Sequence, residues 1–378
     1  MFLDYTLYLV AFFAFWQIAY TLFFYQRLLF FKTKKQLDFD FNKPVSVIVA
    51  AHNELDNLKI LLPLLLKQNY PEFEVIIVDD RSEDDTYLFL LAQQNKDARI
   101  KIVRIEYTPE HISHKKYAIS LGIKAARYPY LLFTDADCQP LSEQWIALMT
   151  NDWSEEKEFV LGFSPYQKQK GLLNWLIRYE TFFTAIQYLS YALAGLPYMG
   201  VGRNLAYTKD VFLRNKGFNK HLKIVGGDDD LFVNANAHAK NTTICIHPAA
   251  HVLSYPKTTW KSWRIQKNRH LSVGKFYKKK HILLLAWQNM AHSLFWFSLP
   301  LAIFGGAMFY SQIEAIHWVL FGIITFRLLF WAMIQYFNTK KLKCETSYVS
   351  WWFFDCIYVF FIVFLGIKAF FRKPEQWS

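Results

Sequence analysis

The amino-acid sequence predicts an α/β sheet domain held between membrane-spanning helices at both ends of the chain. Three observations carry this. Of 378 residues, 53% are hydrophobic and 19% aromatic, which is heavy for a soluble protein. The apolar residues gather at the two ends, while the middle alternates short β-branched runs with longer amphipathic ones. Acidic residues recur just past the ends of several of those short runs.

The first element is residues 5–25, YTLYLVAFFAFWQIAYTLFFY, which are uncharged and match the roughly 20 residues of a bilayer-spanning helix. The segment lacks a basic start and a small-residue cleavage site, so residues 1–31 read as a retained anchor rather than a secretory leader.

From 43 to 255 the pattern is that of a βαβ sheet. Strands are expected at 45–51, 73–80, 100–105 and 130–137, each nearly continuous in apolar residues, as in a parallel sheet buried on both faces. Helices are expected at 54–68 and 83–96. Ligands of such sheets collect at the carboxyl ends of the strands. There fall His52, Asn53 and Glu54, then Asp79 and Asp80, then Asp135 and Asp137. Neither a G-x-G-x-x-G nor a P-loop motif is present, so phosphate must be held in another way.

In YLLFTDADCQP, residues 130–140, the spacing of Asp135 and Asp137 on an extended strand end points both carboxylates the same way. They can share one hard divalent cation, Mn²⁺ or Mg²⁺, with phosphate oxygens. A second acidic group, VGGDDDLF at 225–232, opens a helical pattern. Asp228 reads as a helix cap at least as readily as a catalytic group, and Asp229 or Asp230 as a general base whose pKa its neighbours raise.

Residues 256–281 mix Trp260 and Trp263 with lysine and arginine, the composition of a helix lying among lipid headgroups. Apolar blocks at 282–310, 313–337 and 347–371 follow, for four spans in all. Arg327 and Asp355 inside them must face protein, a polar cavity or an interface. Lys32, Lys34 and Lys35, Lys278–Lys280, and Lys340, Lys341 and Lys343 put the central region on the cytoplasmic side. Arg372 and Lys373 break that pattern, so either the last block does not cross fully or residues 182–199 enter the membrane. A net charge of +12 fits anionic lipid as partner better than nucleic acid, since no separate basic stripe with interleaved aromatics occurs. The four cysteines are scattered, which argues against disulfides and a structural metal site. His111 and His114 read as loop residues rather than metal ligands.

Several motifs in order resemble the family-2 glycosyltransferases, membrane-associated enzymes of GT-A fold. VIVAAHNE and IIVDDRSEDDT resemble the nucleotide-binding turns, KKYAISLGIKAA the lysine-led helix, and FTDADC the metal motif. GVGRNLAYTKDVFLRNKGFN is similar to the acceptor-side segment, GGDDD to the base motif, and WRIQKNRHLSVGKFY to the Gln-x-x-Arg-Trp helix, with His270 where Trp is usual.

The resemblance implies a Rossmann-like mixed sheet that binds a nucleotide sugar. It implies donor contacts at Ala51, Asn53, Glu54, Asp80, Lys115, Asp135, Gln266 and Arg269, and a divalent cation on Asp135 and Asp137. Asp229 aligns best with the base, Asp230 being a one-residue alternative, and Gly202, Arg203, Asn204 and His270 fall on the acceptor side. The expected activity moves a sugar, with inversion, from a nucleotide diphosphate to a membrane lipid hydroxyl. The donor is a UDP-sugar by default or a GDP-sugar, and the setting a bacterial-type inner membrane. A processive polysaccharide synthase is the rival, and a non-catalytic nucleotide-sugar-binding membrane protein the alternative of another class.

Overall fold

The computed structural model describes residues 2–33, 43–110, 112–151, 153–154, 156–308, 314–344, 353–361 and 363. Helix α1 (Phe2–Tyr20) passes through one π-helical turn (Thr21–Tyr25) into α2 (Gln26–Phe30). Next come β1 (Val45–Ala51), α3 (Leu55–Leu66), β2 (Phe73–Asp80), α4 (Thr86–Gln94), β3 (Ile100–Ile105), α5 (His114–Ala125) and β4 (Tyr130–Phe133). They are followed by β5 (Cys138–Pro140), α6 (Trp145–Asn151), β6 (Phe159–Leu161), α7 (Leu172–Leu193), β7 (Leu205–Thr208) and α8 (Lys209–Arg214). The remainder is α9 (Asp230–Asn236), β8 (Thr242–Ile244), β9 (Val252–Ser254), α10 (Trp260–Val273), α11 (Lys279–Met308) and α12 (Ala315–Lys341).

Seven strands form one sheet in the order β3-β2-β1-β4-β7-β6-β8. The first four pair in parallel, and β7 runs antiparallel between β4 and β6, so the sheet is mixed. Alternate strand residues fill two cores, which is why the strands read as unbroken apolar runs. Val45, Val47, Val49, Val75 and Ile77 pack with α3 and α6. Ile48, Ile76, Val78, Leu131 and Phe133 pack with α5 and α7.

The fourth strand is shorter than the sequence predicts. It leaves the sheet after Phe133, and Asp135–Cys138 form a turn closed by a bond from Cys138 N to Asp135 O (3.1 Å). Cys138–Pro140 then pair with Val252–Ser254 in a separate two-stranded sheet. Asp135 and Asp137 therefore sit on a turn, not on an extended strand end.

Residues 182–199 do not form a span. Most of them belong to α7, which is not among the three helices that, among the described residues, are long and apolar enough to cross a membrane: Asp4–Phe30, Lys279–Met308 and Ala315–Lys341. Helix α7 instead joins the sheet to those helices. Tyr188 donates to Gly162 O (2.5 Å), and Tyr191 stacks on Phe24 (centroids 4.3 Å apart) and accepts from the Tyr20 hydroxyl (2.7 Å). Of the fourth apolar block, residues 353–361 are helical; most of the rest, with Lys34, Lys35, Arg372 and Lys373, lies outside the described residues.

Arg327 and Asp355 meet their expectation by finding each other. Arg327 Nη2 lies 3.4 Å from Asp355 Oδ2, and Arg327 also donates to Gln17. Asp355 accepts from Tyr179 (2.9 Å) and Trp296 (3.0 Å), with His292 at 3.3 Å. This network ties the last helix to α7, α11 and α12.

Candidate active site

The carboxyl ends of β1 and β2 are stitched together by their own turns. Asn53 and Arg81 follow the strands in left-handed backbone (φ 54° and 58°), a conformation that turns the chain sharply and that asparagine tolerates. Asn53 N donates to Ser82 Oγ (3.0 Å), and its side-chain oxygen accepts from Glu83 N (2.8 Å). His52 Nδ1 lies 2.6 Å from Asp80 O.

Ala51 and Asp80, both expected as donor contacts, are fully buried. The Asp80 carboxylate accepts from Arg81 Nε (2.9 Å), and Arg81 Nη2 in turn donates to His114 Nδ1 (2.9 Å). Burial and the Arg81 charge push the His114 pKa down, so the ring is a neutral acceptor. His114 thus serves this turn, and His111 lies outside the described residues. Asn53 is exposed and Glu54 partly so. Burial, with Asp137 and Asp135 nearby, pushes the Glu54 pKa up although Asn57 donates to it.

Lys115, on the first turn of α5, joins two acidic groups. Its Nζ is 2.8 Å from Asp135 Oδ1 and 3.4 Å from Asp228 Oδ2. Burial works to lower its pKa, but Asp135, Asp228 and Asp229 outweigh that and raise it. Burial likewise opposes ionisation of Asp135, and Lys115, Arg203 and Arg269 overcome it, while partial burial and the Asp135 charge push Asp137 up. The ligand atoms of Asp135, Asp137 and Cys138 lie within 4.8 Å of one another. A divalent cation relieves such opposed carboxylates, and their hard oxygens suit Mg²⁺ or Mn²⁺. Cys138 donates its S–H to Asp137 Oδ1 (3.4 Å), a thiol rather than a thiolate ligand.

The second acidic group is shaped by two glycines. Gly226 and Gly227 take φ values of 81° and 78°, and a Cβ at Gly227 would come within 2.6 Å of Leu231. The cap of α9 is Asp229, not Asp228: its Oδ1 accepts from Asp230 N and its Oδ2 from Gly202 N, both at 2.7 Å. Asp228 turns to Lys115 instead. Asp230 is held by the Tyr277 hydroxyl and Leu231 N, both at 2.7 Å, and burial with Asp229 alongside pushes it up to about 8. Asp228 and Asp229 line one cleft with Lys115, Asp135 and Gly202, and Asp230 does not. Burial and Asp228 raise the Asp229 pKa against the pull of Lys115 and the two N–H groups.

A residue the sequence reading passed over is Lys116. It is fully buried, and its Nζ donates to His221 O (2.6 Å) and Ile224 O (3.0 Å), holding the loop that leads to the acids. The signal was available: Lys116, Ile119 and Ile123 share the buried stripe of α5 at helical spacing.

Of the acceptor-side residues, Gly202 touches Asp229. Asn204 is spent inside the fold, accepting from Trp145 Nε1 (3.0 Å) and donating to Phe163 O and Ala250 O (2.8 Å each), so it offers nothing to a ligand. Arg203 lies over Tyr166, whose hydroxyl accepts from Gln266 Nε2 (3.4 Å). Arg269 passes beside Gly226, and His270 is exposed. Trp263 is buried against Trp260 and Phe361, not free for headgroups as its composition suggested.

Residues 46–212 match the model of Glycosyl transferase family 2, and residues 141–365 that of Glycosyl transferase family group 2. The chain is 32% identical over 113 residues to a poly-β-1,6-N-acetyl-D-glucosamine synthase of Staphylococcus epidermidis, across 30% of this chain and 25% of that one. It is 28% identical over 132 residues to the UDP-Glc:α-D-GlcNAc-diphosphoundecaprenol β-1,3-glucosyltransferase WfaP of Escherichia coli, across 34% of this chain and 48% of that one. The matched stretches thus span half or less of those relatives. The mannosyltransferase PcManGT from Pyrobaculum calidifontis, solved with GDP-Man and Mn²⁺, shares the fold at a TM-score of 0.58 and 18% identity, over 92% of this chain and 100% of that one.

Proposed function

The chain belongs to the family-2 glycosyltransferases and has the GT-A fold, and on that premise we propose that it moves a sugar, with inversion, from a nucleotide-diphosphate donor to a membrane lipid hydroxyl. The observation that carries the proposal is the meeting of two acidic groups across Lys115, which lies 2.8 Å from Asp135 and 3.4 Å from Asp228. One group suits a diphosphate, the other a reacting hydroxyl.

Asp135 and Asp137 would hold the divalent cation, which when bound supplies positive charge to the donor diphosphate. Lys115, Gln266 and Arg269 would hold the departing diphosphate. Asp229 takes the proton of the acceptor hydroxyl. The freed oxygen attacks the anomeric carbon opposite the diphosphate, whose bond to that carbon breaks, so the configuration inverts. The N–H groups of Gly202 and Asp230 aim the Asp229 carboxylate, and its raised pKa makes it a stronger base than an exposed aspartate.

A membrane setting is supported by where the helices meet the domain. Leu28 and Leu342 share a core with the sheet, and His281 Nδ1 lies 3.0 Å from Asn234 Nδ2. The helix ends beside Lys32, Lys278–Lys280 and Lys340–Lys341 are therefore the ends that carry the domain, as expected if residues 43–255 are cytoplasmic at a bacterial-type inner membrane. Helix α10, in the 256–281 segment, exposes Trp260, Ile265 and Leu271 alongside Lys261 and Arg264, which suits an interface rich in anionic lipid. Residues 1–31 would anchor the chain and residues 282–371 supply the remaining spans.

The lipid acceptor and a UDP-sugar donor are supported by the E. coli relative, whose name carries both a UDP-sugar and a diphosphoundecaprenol. GDP remains the second nucleotide, in line with the GDP-Man of PcManGT. The Staphylococcus relative favours a second reading, polymer synthesis. The detergent-purified chain, given UDP- and GDP-sugars with Mn²⁺ or Mg²⁺, is expected to release nucleotide diphosphate only with one donor and a lipid extract. Polymer growth without lipid would support the synthase, and silence with every donor would refute transfer.

A further inference from the structure

Arg203 follows Gly202 of the cleft lining, its guanidinium has no hydrogen-bond acceptor among the described residues, and its Nη1 is buried. The Gly202 N–H before it holds Asp229 at 2.7 Å. Its guanidinium carbon is 4.4 Å from the centre of the Tyr166 ring, and Gln266 of α10 braces that ring through its hydroxyl at 3.4 Å. Arg203 also acts on the Asp135 turn: against burial, and after Lys115, it helps to keep Asp135 ionised, and Asp135 and Asp137 favour the charged Arg203 in return.

An arginine stacked on an aromatic ring keeps its planar fork of donors in one orientation. Donors buried without acceptors are costly, and a phosphate matches the fork with two parallel hydrogen bonds. A carboxylate partner would have consumed that fork, but the neighbouring Asp135 is engaged by Lys115 at 2.8 Å.

We propose that Arg203 binds a phosphate group of the substrate, with Tyr166 and Gln266 as the residues that position it. The inference rests on the transferase reading and assigns Arg203 a ligand chemistry that its acceptor-side location alone does not give. The phosphate has two possible sources, the diphosphate of the nucleotide donor or the phosphate of a phosphorylated lipid acceptor.

The test uses the full chain in detergent with Mn²⁺, titrated with UDP, UMP, GDP and GMP, and separately with a short-chain polyprenyl phosphate. If the donor is the source, Arg203→Ala loses about 10- to 100-fold in affinity for the nucleoside diphosphate and little for the monophosphate. If the acceptor is the source, nucleotide affinities stay and polyprenyl phosphate binding falls by that factor. Arg203→Lys, which keeps the charge without the fork, should recover only part of the loss, and Tyr166→Leu should show a smaller version of it. Arg203→Ala binding every probe as the wild type does would overturn the assignment. Should that variant fail to fold, wild-type affinities in Arg203→Lys would overturn it equally. A wild type that binds no nucleotide at all would bring down the transferase reading and this inference with it, whereas unchanged variants of a nucleotide-binding wild type sink only the inference.

Discussion

Replacing Lys116 with methionine removes a buried ammonium while nearly keeping its volume. The lost bonds run to His221 O (2.6 Å) and Ile224 O (3.0 Å). Two charge-assisted bonds are worth about 3–6 kcal/mol gross. Burial opposes them, since it pushes the Lys116 pKa from 10.5 down to about 8 against the pull of Asp228, Asp230 and Asp229. That shift corresponds to about 3 kcal/mol against the charged form. The difference is about 0–3 kcal/mol, and at its midpoint the loop before the acids opens roughly tenfold more easily. Amide exchange reads this directly, because Ser113 N donates to Leu222 O and Ile224 N to His221 O, both at 3.0 Å. Both amides should exchange about tenfold faster in Lys116→Met. Turnover should fall by about 10- to 100-fold with little change in donor KM, since Asp228 and Asp229 shift while the Asp135 side stays. Unchanged exchange with unchanged turnover would refute the claim that Lys116 holds the loop in place.

Four further outcomes follow from the same geometry. The rate should fall as pH drops through the raised pKa of Asp229, above the usual carboxylate range, because only the ionised base accepts a proton. The Tyr277 hydroxyl favours ionised Asp230, so Tyr277→Phe raises the Asp230 pKa and should leave that limb in place or move it slightly down; a shift to higher pH would reassign the base to Asp230. Asn204→Leu strands Trp145 Nε1 and two carbonyls and should cost about 3 kcal/mol or more, read as a lower thermal midpoint in detergent. Asp355→Asn leaves Arg327 without its carboxylate and should cost about 3–5 kcal/mol, while the pair Arg327→Met with Asp355→Leu should regain most of it.

Much of the fold was legible because the first three strands are local apolar runs whose ends carry polar residues, and their bounds agree with the sequence expectation to the residue. The fourth ran long in the sequence reading, to 137, because no glycine or proline marks the turn at Asp135–Cys138; that turn carries Cys138–Pro140 to pair with Val252–Ser254, more than a hundred residues away. Arg327 and Asp355 were legible as isolated charges in apolar blocks, since lipid leaves them no other partner. The acidic triplet was legible as a group but not in its division of labour. Which acid caps the helix depends on the backbone of Gly226 and Gly227 and on Gly202 arriving from the turn before β7. Segment 182–199 was open to reading as a membrane segment because an apolar helix buried between a sheet and other long apolar helices has the composition of a span. Asn204 misled because a motif position shows residue type and not the direction in which the side chain is used.

The central claim is that Asp229 accepts the proton of the attacking hydroxyl, and Asp229→Asn tests it most directly. Sugar transfer and nucleotide affinity should be measured on the same preparation beside the wild type. The expected result is transfer reduced at least about a thousandfold with nucleoside diphosphate affinity within a few fold, since asparagine keeps the shape but not the basicity. Transfer at the wild-type rate in Asp229→Asn would contradict the account and move the base elsewhere in the acidic group.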